Sequence, residues 1–220
     1  MSNIDHIPST ESAIADPRGL SRPRMVVAIA VAVALGIVAY TTLIKPSLWP
    51  TRFGVVREGH IYRSGRMSPS ALAHVYERYK IKTIIDLGGY HAGSKEDQRE
   101  QQTADALGIK RHSFRLEGDG TGDVNIYADA LRIMTDPKQQ PVLVHCSAGS
   151  ERTGCLVMLY RQIYENVGLE KALTEAQEFD HEPTKNPHVR AIAERWAGAI
   201  QEAVKSGKQV DTGGESKMVH

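Results

Sequence analysis

One short stretch, Val142–Gly154, constrains the fold more than any other part of the chain. It reads V-L-V-H-C-S-A-G-S-E-R-T-G. The three apolar residues at its start predict a short buried strand, and the mostly apolar residues from Thr153 onward predict a helix. The small residues between them suit a tight loop. We therefore expect Cys146 at the end of a strand and Arg152 at the start of a helix.

This arrangement suits the binding of a phosphate. Small residues allow successive backbone N–H groups to curl around an anion, and a helix N-terminus adds its partial positive charge. The planar guanidinium of Arg152 can hold two phosphate oxygens. In such a positive field we expect Cys146 to be a thiolate near neutral pH, placed for in-line attack on phosphorus. The alternative is an inert core cysteine with a surface arginine.

The motif H-C-x5-R-T-G resembles the signature of the protein tyrosine phosphatase superfamily. The resemblance implies that Cys146 is the nucleophile, that His145 orients the loop, and that the hydroxyl of Thr153 helps the thiolate to leave. It also implies hydrolysis through a phosphocysteine, with neither metal nor cofactor. The expected phosphate-binding residues are Ser147, Ala148, Gly149, Ser150, Glu151 and Arg152.

Expulsion of an alkoxide or phenoxide requires a proton donor. The glycine-rich stretch 116–123 reads L-E-G-D-G-T-G-D and lies between a predicted strand and a predicted helix. In the family an aspartate on the corresponding loop supplies the proton, and Asp119 fits that pattern best. Asp123 is the second candidate, although it also suits a helix cap. Glu117 is the third candidate, and Asp119 as a simple turn residue is a further possibility.

The alternation of strands and helices predicts an α/β domain with a central, mostly parallel sheet flanked by helices. A catalytic loop at the carboxyl end of a strand fits this class. The opening segment F-G-V-V-x-x-G-x-I-Y-R-S-G-R-M resembles the hairpin of atypical dual-specificity phosphatases of the plant and fungal type. Predicted strands are 53–56, 60–63, 82–87, 111–116 and 142–144, and predicted helices are 69–79, 96–107, 124–134, 153–165, 169–179 and 188–204.

Outside this domain, the sequence predicts a membrane anchor. Residues 25–44 carry no charge and would form about 30 Å of helix, the thickness of a bilayer core. A cleaved signal peptide and a buried core helix are the alternatives, and the flanking basic residues leave the orientation open. The predicted organisation is a disordered tail (1–24), a transmembrane helix (25–44), a linker (45–51), the catalytic domain (52–204) and a disordered tail (205–220).

Composition narrows the remaining choices. The formal charge of +1 gives no reason to expect nucleic acid as a partner, and two cysteines imply no disulfide framework. The histidines show no metal-ligand spacing, and His181 and His188 are expected on the surface. The charged residues Lys95, Glu96, Asp97, Arg99 and Glu100 are expected to form a solvated helix face.

The residues of the catalytic loop also bear on the substrate. The loop carries no lysine, and Glu151 would repel a second phosphate. This favours a membrane-anchored phosphatase acting on phosphorylated proteins, with the lipid bilayer as a further partner. The alternatives are an inositol phosphate phosphatase, a phospholipid phosphatase, and an inactive module that binds phosphate without hydrolysing it.

Overall fold

The computed structural model describes residues 22–44 and 50–213, and the chain divides into two units between Thr41 and Thr42. The first unit contains helix α1 (Arg22–Ala39), which continues into a π-helical turn (Tyr40–Ile44). Side chains 23–42 are all exposed, and this segment is long and apolar enough to cross a membrane by length and composition. Residues 1–21 of the predicted tail and 45–49 of the predicted linker lie outside the described residues.

The second unit is built on a five-stranded sheet. Its strands are β1 (Gly54–Arg57), β2 (Ile61–Gly65), β3 (Thr83–Asp86), β4 (Lys110–Ser113) and β5 (Val142–Cys146). The spatial order is β1-β2-β5-β3-β4. Strand β1 pairs antiparallel with β2, and all other pairs are parallel. The predicted α/β class with a mostly parallel sheet is therefore confirmed, with a hairpin at one edge.

Helices cover both faces of this sheet. They are α2 (Pro69–Tyr79), α3 (Lys95–Ala106), α4 (Val124–Thr135), α5 (Glu151–Tyr164), α6 (Leu169–Glu178) and α7 (Pro187–Ser206). Side chains alternate along β5: Val142 and Val144 face the larger core under α4 to α7, whereas Leu143 faces the smaller core under α2 and α3.

Local sequence signals explain several helix ends. The side chain of Ser68 accepts a hydrogen bond from the N–H of Ala71, with Pro69 at the first position of α2. Asp123 caps α4 in the same way, accepting from the N–H of Asn125. Helix α5 begins at Glu151, two residues before the predicted start at Thr153, so the helix N-terminus lies closer to the cysteine than expected.

The C-terminal segment packs on the domain further than the sequence suggests. Helix α7 extends to Ser206, and Val210 is buried. The N–H of Val210 donates a hydrogen bond of 2.7 Å to the side-chain oxygen of Asn125 on α4. Within the segment predicted as a disordered tail, Lys205 and Ser206 are therefore helical and Val210 packs on the core; residues 214–220 lie outside the described residues.

The register of the sheet brings three chain segments to one edge. Gly65 pairs with Cys146, and Asp86 pairs with His145. The parallel strands β2, β5 and β3 consequently end side by side. The segments that leave these strands line the crevice at which open α/β sheets bind ligands.

Candidate active site

The loop between β5 and α5 wraps around the sulfur of Cys146. The thiol is buried, and the N–H of Gly149 points at Sγ over 3.2 Å. Gly149 has a φ of 83°, in the left-handed region that glycine tolerates best. A Cβ atom there would lie 2.5 Å from the backbone nitrogen of Gly65. The loop thus requires glycine at this position for both conformation and space.

Arg152 lies in the first turn of α5, and its side chain is held in place by the two residues that follow β3. Its Nη1 donates to the carbonyl oxygen of Leu87 at 3.3 Å and to that of Gly88. Arg152 and Ser147 both line a cavity of about 780 Å³. The predicted phosphate-binding residues 147–152 are contiguous around this loop, with Ala148 exposed and Ser150 buried.

His145 contacts a buried group of charged residues that the sequence did not predict. Its Nε2 lies 3.2 Å from Oε1 of Glu100, and its Nδ1 lies 3.4 Å from the carbonyl oxygen of Cys146. Nη2 of Arg111 lies 3.0 Å from Oε2 of Glu100 and 2.6 Å from Oδ2 of Asp86. The prediction that Glu100 belongs to a solvated face is wrong, because Glu100 shares the inner face of α3 with Ala104.

Burial alters the acidity of Glu100. Desolvation raises the pKa of this carboxyl, and the charge of Asp86 acts in the same direction, whereas His145 and Arg111 act against it. Asp86, Glu100 and His145 also lie close enough together to hold a metal ion. Their carboxylates already face the guanidinium of Arg111, and Oδ1 of Asp86 accepts from the N–H groups of Gly88 and Gly89. We therefore assign no metal to this group.

The three candidate proton donors of loop 116–123, here called the acid loop, lie in different surroundings. Oδ1 of Asp119 accepts from both the N–H and the hydroxyl of Thr121, and Oδ2 lies 3.5 Å from Nε2 of His188. Burial acts to raise the pKa of Asp119, but the bonds from Thr121 and the charge of His188 outweigh it and lower that pKa. Glu117 lines the cavity beside Arg152, and Asp123 caps α4.

Glu151 is paired rather than free. Its Oε2 lies 2.5 Å from Nδ1 of His181, a residue that is only 3% exposed. The prediction of a surface position for His181 is therefore wrong, and His188 is only partly exposed. The carboxylate of Glu151 is thus held by His181.

Basic side chains surround the loop although the loop itself carries no lysine. Arg66 and Arg115 line the same cavity as Arg152, together with Tyr90. The guanidinium of Arg66 lies 5.4 Å from the centre of the Tyr90 ring. Arg66 and Tyr90 also line a neighbouring cavity of about 590 Å³. These residues follow strands β2, β3 and β4, far from the loop in sequence, so no local pattern predicts that they lie beside it.

The second cysteine has a different environment. Cys155 is fully buried in α5, and burial raises the pKa of its thiol to about 12. A hydrogen bond with Tyr127 acts against this rise. Cys155 is therefore a protonated core thiol at neutral pH, unsuited to nucleophilic attack.

A cysteine at a strand end that accepts a hydrogen bond from a loop N–H, with an arginine in the first turn of the next helix, is the arrangement of a cysteine-type phosphatase. The sequence agrees with this class over most of its length. Residues 47–212 match the group described as the tyrosine phosphatase family, and the chain belongs to that family.

Similar proteins have two kinds of described activity. Inositol diphosphatase SIW14 of Saccharomyces cerevisiae is 31% identical over 142 residues, which is 63% of this chain and 47% of that protein. Dual specificity protein phosphatase TpbA of Pseudomonas aeruginosa is 25% identical over 120 residues, which is 53% of this chain and 50% of that protein. The chain thus spans about half the length of these relatives.

A solved structure agrees with the fold. The core catalytic domain of the PP-IP phosphatase SIW14 from S. cerevisiae, in complex with citrate, aligns with a TM-score of 0.61 and 27% identity. The alignment covers 72% of this chain and 94% of the solved one. The similarity therefore extends over almost the whole of that catalytic core.

Proposed function

We propose that the chain removes phosphate from a compact, multiply phosphorylated substrate of the inositol diphosphate kind. The observation that carries this proposal is the grouping of Arg66, Arg115 and Arg152 around one cavity. Guanidinium groups bind phosphate oxygens through paired hydrogen bonds. One of the three arginines can bind the reacting phosphate, and the other two can bind neighbouring phosphates of the same substrate. The SIW14 relative is an inositol diphosphatase, which supports the same class of substrate.

In the first chemical step, Sγ of Cys146 attacks phosphorus. The S–P bond forms, the bond from phosphorus to the leaving oxygen breaks, and the leaving group departs with that electron pair. The loop amides and Arg152 stabilise the charge on the transferring group. Water then attacks the phosphocysteine, the S–P bond breaks, and inorganic phosphate and the thiolate are released.

The state of the acid loop supports a diphosphate substrate. Asp119 has a lowered pKa and is engaged by Thr121, so it is a poor proton donor at neutral pH. A diphosphate releases a phosphate ester, which is a stable anion and needs little protonation. For substrates that do need a proton, we propose Glu117 as the donor, because it lines the cavity beside Arg152. The sequence pattern instead favours Asp119.

A panel of substrates tests the proposal. The full chain in detergent is assayed with an inositol diphosphate, inositol hexakisphosphate, a phosphotyrosine peptide and a phosphoinositide in vesicles. We expect the highest kcat/KM for the inositol diphosphate. A higher value for the phosphotyrosine peptide or the phosphoinositide would contradict the assignment.

Hydrolysis of phosphoproteins is the second candidate. The neighbouring cavity combines the apolar side chains of Met67, Pro69 and Leu72 with Arg66, a surface that suits the side chains of a peptide. The name of the TpbA relative is consistent with it. In the same panel, this candidate predicts that the phosphotyrosine peptide is the best substrate.

We also propose that helix α1 anchors the chain in a membrane. The segment Pro23–Thr42 has the required length and apolar composition, and none of it is buried by the protein. We expect the full chain to stay with membranes during alkaline carbonate extraction, and a Val33→Asp variant to be extracted more readily. Release of the unaltered chain by carbonate would contradict this anchor. A mature N-terminus beyond residue 42 would instead identify a cleaved signal.

A further inference from the structure

Three consecutive carbonyl groups of the catalytic loop are bonded on its outer side. The oxygen of Ser147 accepts from the N–H of Arg66 at 3.2 Å. The oxygen of Ala148 accepts from Nη1 of Arg52 at 2.9 Å, and that of Gly149 accepts from Nη2 of Arg63 at 2.8 Å. Two of the three donors are arginine side chains that precede the loop by more than eighty residues.

These bonds determine where the loop amides point. A trans peptide unit is planar, so its C=O and the N–H of the next residue point in opposite directions. Carbonyls held outward at Ser147, Ala148 and Gly149 therefore turn the following N–H groups inward. The peptide between Ala148 and Gly149 demonstrates the effect: its carbonyl faces Arg52, and its N–H faces Sγ of Cys146 at 3.2 Å.

Burial of the Arg63 side chain is unfavourable by itself. Arg63 is 1% exposed, and burial lowers the pKa of its guanidinium to about 10, a shift that the charges of Glu175 and Cys146 oppose. Its Nε and Nη1 have no hydrogen-bond partner among the described residues. The ring of Phe179 covers it, with the guanidinium carbon 3.8 Å from the ring centre. Burying an arginine with two unbonded nitrogens destabilises the fold unless its remaining hydrogen bond compensates, and that bond is the one to the carbonyl of Gly149.

Arg52 is held by the residue next to Phe179. Its Nε donates to Oδ2 of Asp180 at 2.6 Å. Both residues have left-handed backbones, with φ of 51° for Arg52 and 61° for Asp180. Such angles are uncommon outside glycine, asparagine and aspartate and persist where surrounding contacts maintain them. The next residue, His181, holds Glu151.

We infer that Arg63 and Arg52 are positioning residues that turn the loop amides toward the bound phosphate, and that the connection Phe179–Asp180–His181 holds them in place. The inference rests on the phosphatase chemistry proposed for Cys146. It assigns to both residues a role in oxyanion binding that acts through the loop carbonyls they bind.

Binding of tungstate, a tetrahedral oxyanion, tests the inference without catalysis. The full chain carrying Cys146→Ser is titrated with tungstate by calorimetry. We expect Arg63→Met to weaken tungstate binding by about tenfold or more, and Arg52→Gln by a smaller factor, because misdirected amides no longer reach the anion. Arg57→Gln, at an exposed arginine of the same hairpin, is the control and should leave the affinity unchanged.

Asp180→Asn separates positioning from simple electrostatics. Removal of a negative charge near the loop would by itself strengthen anion binding. The inference predicts the opposite, a loss similar to that of Arg52→Gln, and no further loss when the two changes are combined. Arg52 and Asp180 are 29% and 67% exposed at the side chain, so these variants should fold even if Arg63→Met does not.

The outcomes are distinct. Tungstate affinity unchanged in Arg52→Gln, or increased in Asp180→Asn, would overturn the inference. Tungstate binding that is absent from the parent, or that survives Arg152→Met, would overturn the proposed phosphate site itself, and the inference with it. Weaker binding in Arg52→Gln and Asp180→Asn, with an intact parent site, supports it.

Discussion

Oε1 of Glu100 lies 3.2 Å from Nε2 of His145, the residue directly before the cysteine. Both side chains are buried, and Arg111 lies on the other side of Glu100 at 3.0 Å. An acidic side chain from α3 thereby contacts the strand that carries Cys146. The burial of this acid makes the stability of the fold dependent on pH.

We predict that Glu100→Gln changes the pH dependence of unfolding. Because the pKa of Glu100 is raised in the fold, mainly by burial, folding favours its protonated form. This stabilisation is complete below the ordinary glutamate value of about 4.3 and is lost as the pH rises through the raised pKa. The unfolding free energy of the parent should therefore fall relative to that of the variant over this range.

Urea unfolding between about pH 4 and pH 7 measures this difference. Glu96→Gln, at an exposed glutamate of the same helix, is the matched control. A difference between parent and Glu100→Gln that stays constant, or that grows in favour of the parent as the pH rises, would show that burial of Glu100 is not the dominant effect.

Leaving-group dependence should identify the proton donor. We expect Glu117→Gln to slow the hydrolysis of phenyl phosphate more than that of p-nitrophenyl phosphate, with the two effects differing by about tenfold or more. Only the poorer leaving group, phenoxide, needs a proton. Asp119→Asn should have a smaller effect, since its carboxylate is engaged by Thr121. A larger loss of steady-state rate in Asp119→Asn than in Glu117→Gln would identify Asp119 as the proton donor.

Gly149→Ala should disrupt the loop. The new Cβ would meet the backbone of Ser64 and Gly65, and the φ of 83° is unfavourable for alanine. We expect a loss of about 1–3 kcal/mol in unfolding free energy and loss of tungstate binding. Gly93→Ala is the control, because its φ of 71° is similar but no atom lies within 4 Å of the added group. It should cost about 1 kcal/mol and leave binding intact. Equal effects of the two changes would contradict the close packing inferred at Gly149.

Arg66 and Arg115 should discriminate between substrates. We expect Arg66→Met and Arg115→Met each to raise the KM for an inositol diphosphate by about tenfold, while the KM for p-nitrophenyl phosphate changes by less than about twofold. The small substrate carries one phosphate and needs only Arg152. Parallel changes for both substrates in initial-rate assays would place these arginines outside a second phosphate site.

The sequence was sufficient to predict the fold class and the loop because their signals are local. The strand Val142–Cys146 has a short apolar pattern, and the turn residues after it are contiguous. The caps Ser68 and Asp123 depend on equally local signals. Each of these depends on residues a few positions apart, where chain geometry decides the contact.

The residues around the loop could not be predicted, because they meet it only through the order of the strands. Arg63 reaches Gly149 since β2 lies beside β5, and Glu100 reaches His145 across the sheet edge. The sequence does contain one weak indication that Glu100 is buried. Glu100 lies four residues before Ala104, so the two side chains share one face of the helix. The histidine His181 gave no such signal, and its pairing with Glu151 depends on how α6 ends.

The most direct test of the central claim is detection of a phosphoryl group on Cys146. The full chain is mixed with p-nitrophenyl phosphate, quenched in acid within milliseconds and digested, and the peptide containing Cys146 is examined by mass spectrometry. We predict a phosphoryl adduct on the sulfur of Cys146, absent from Cys146→Ser, which should also lack turnover. Turnover that persists in Cys146→Ser, or an adduct found on another residue, would contradict nucleophilic catalysis by this cysteine.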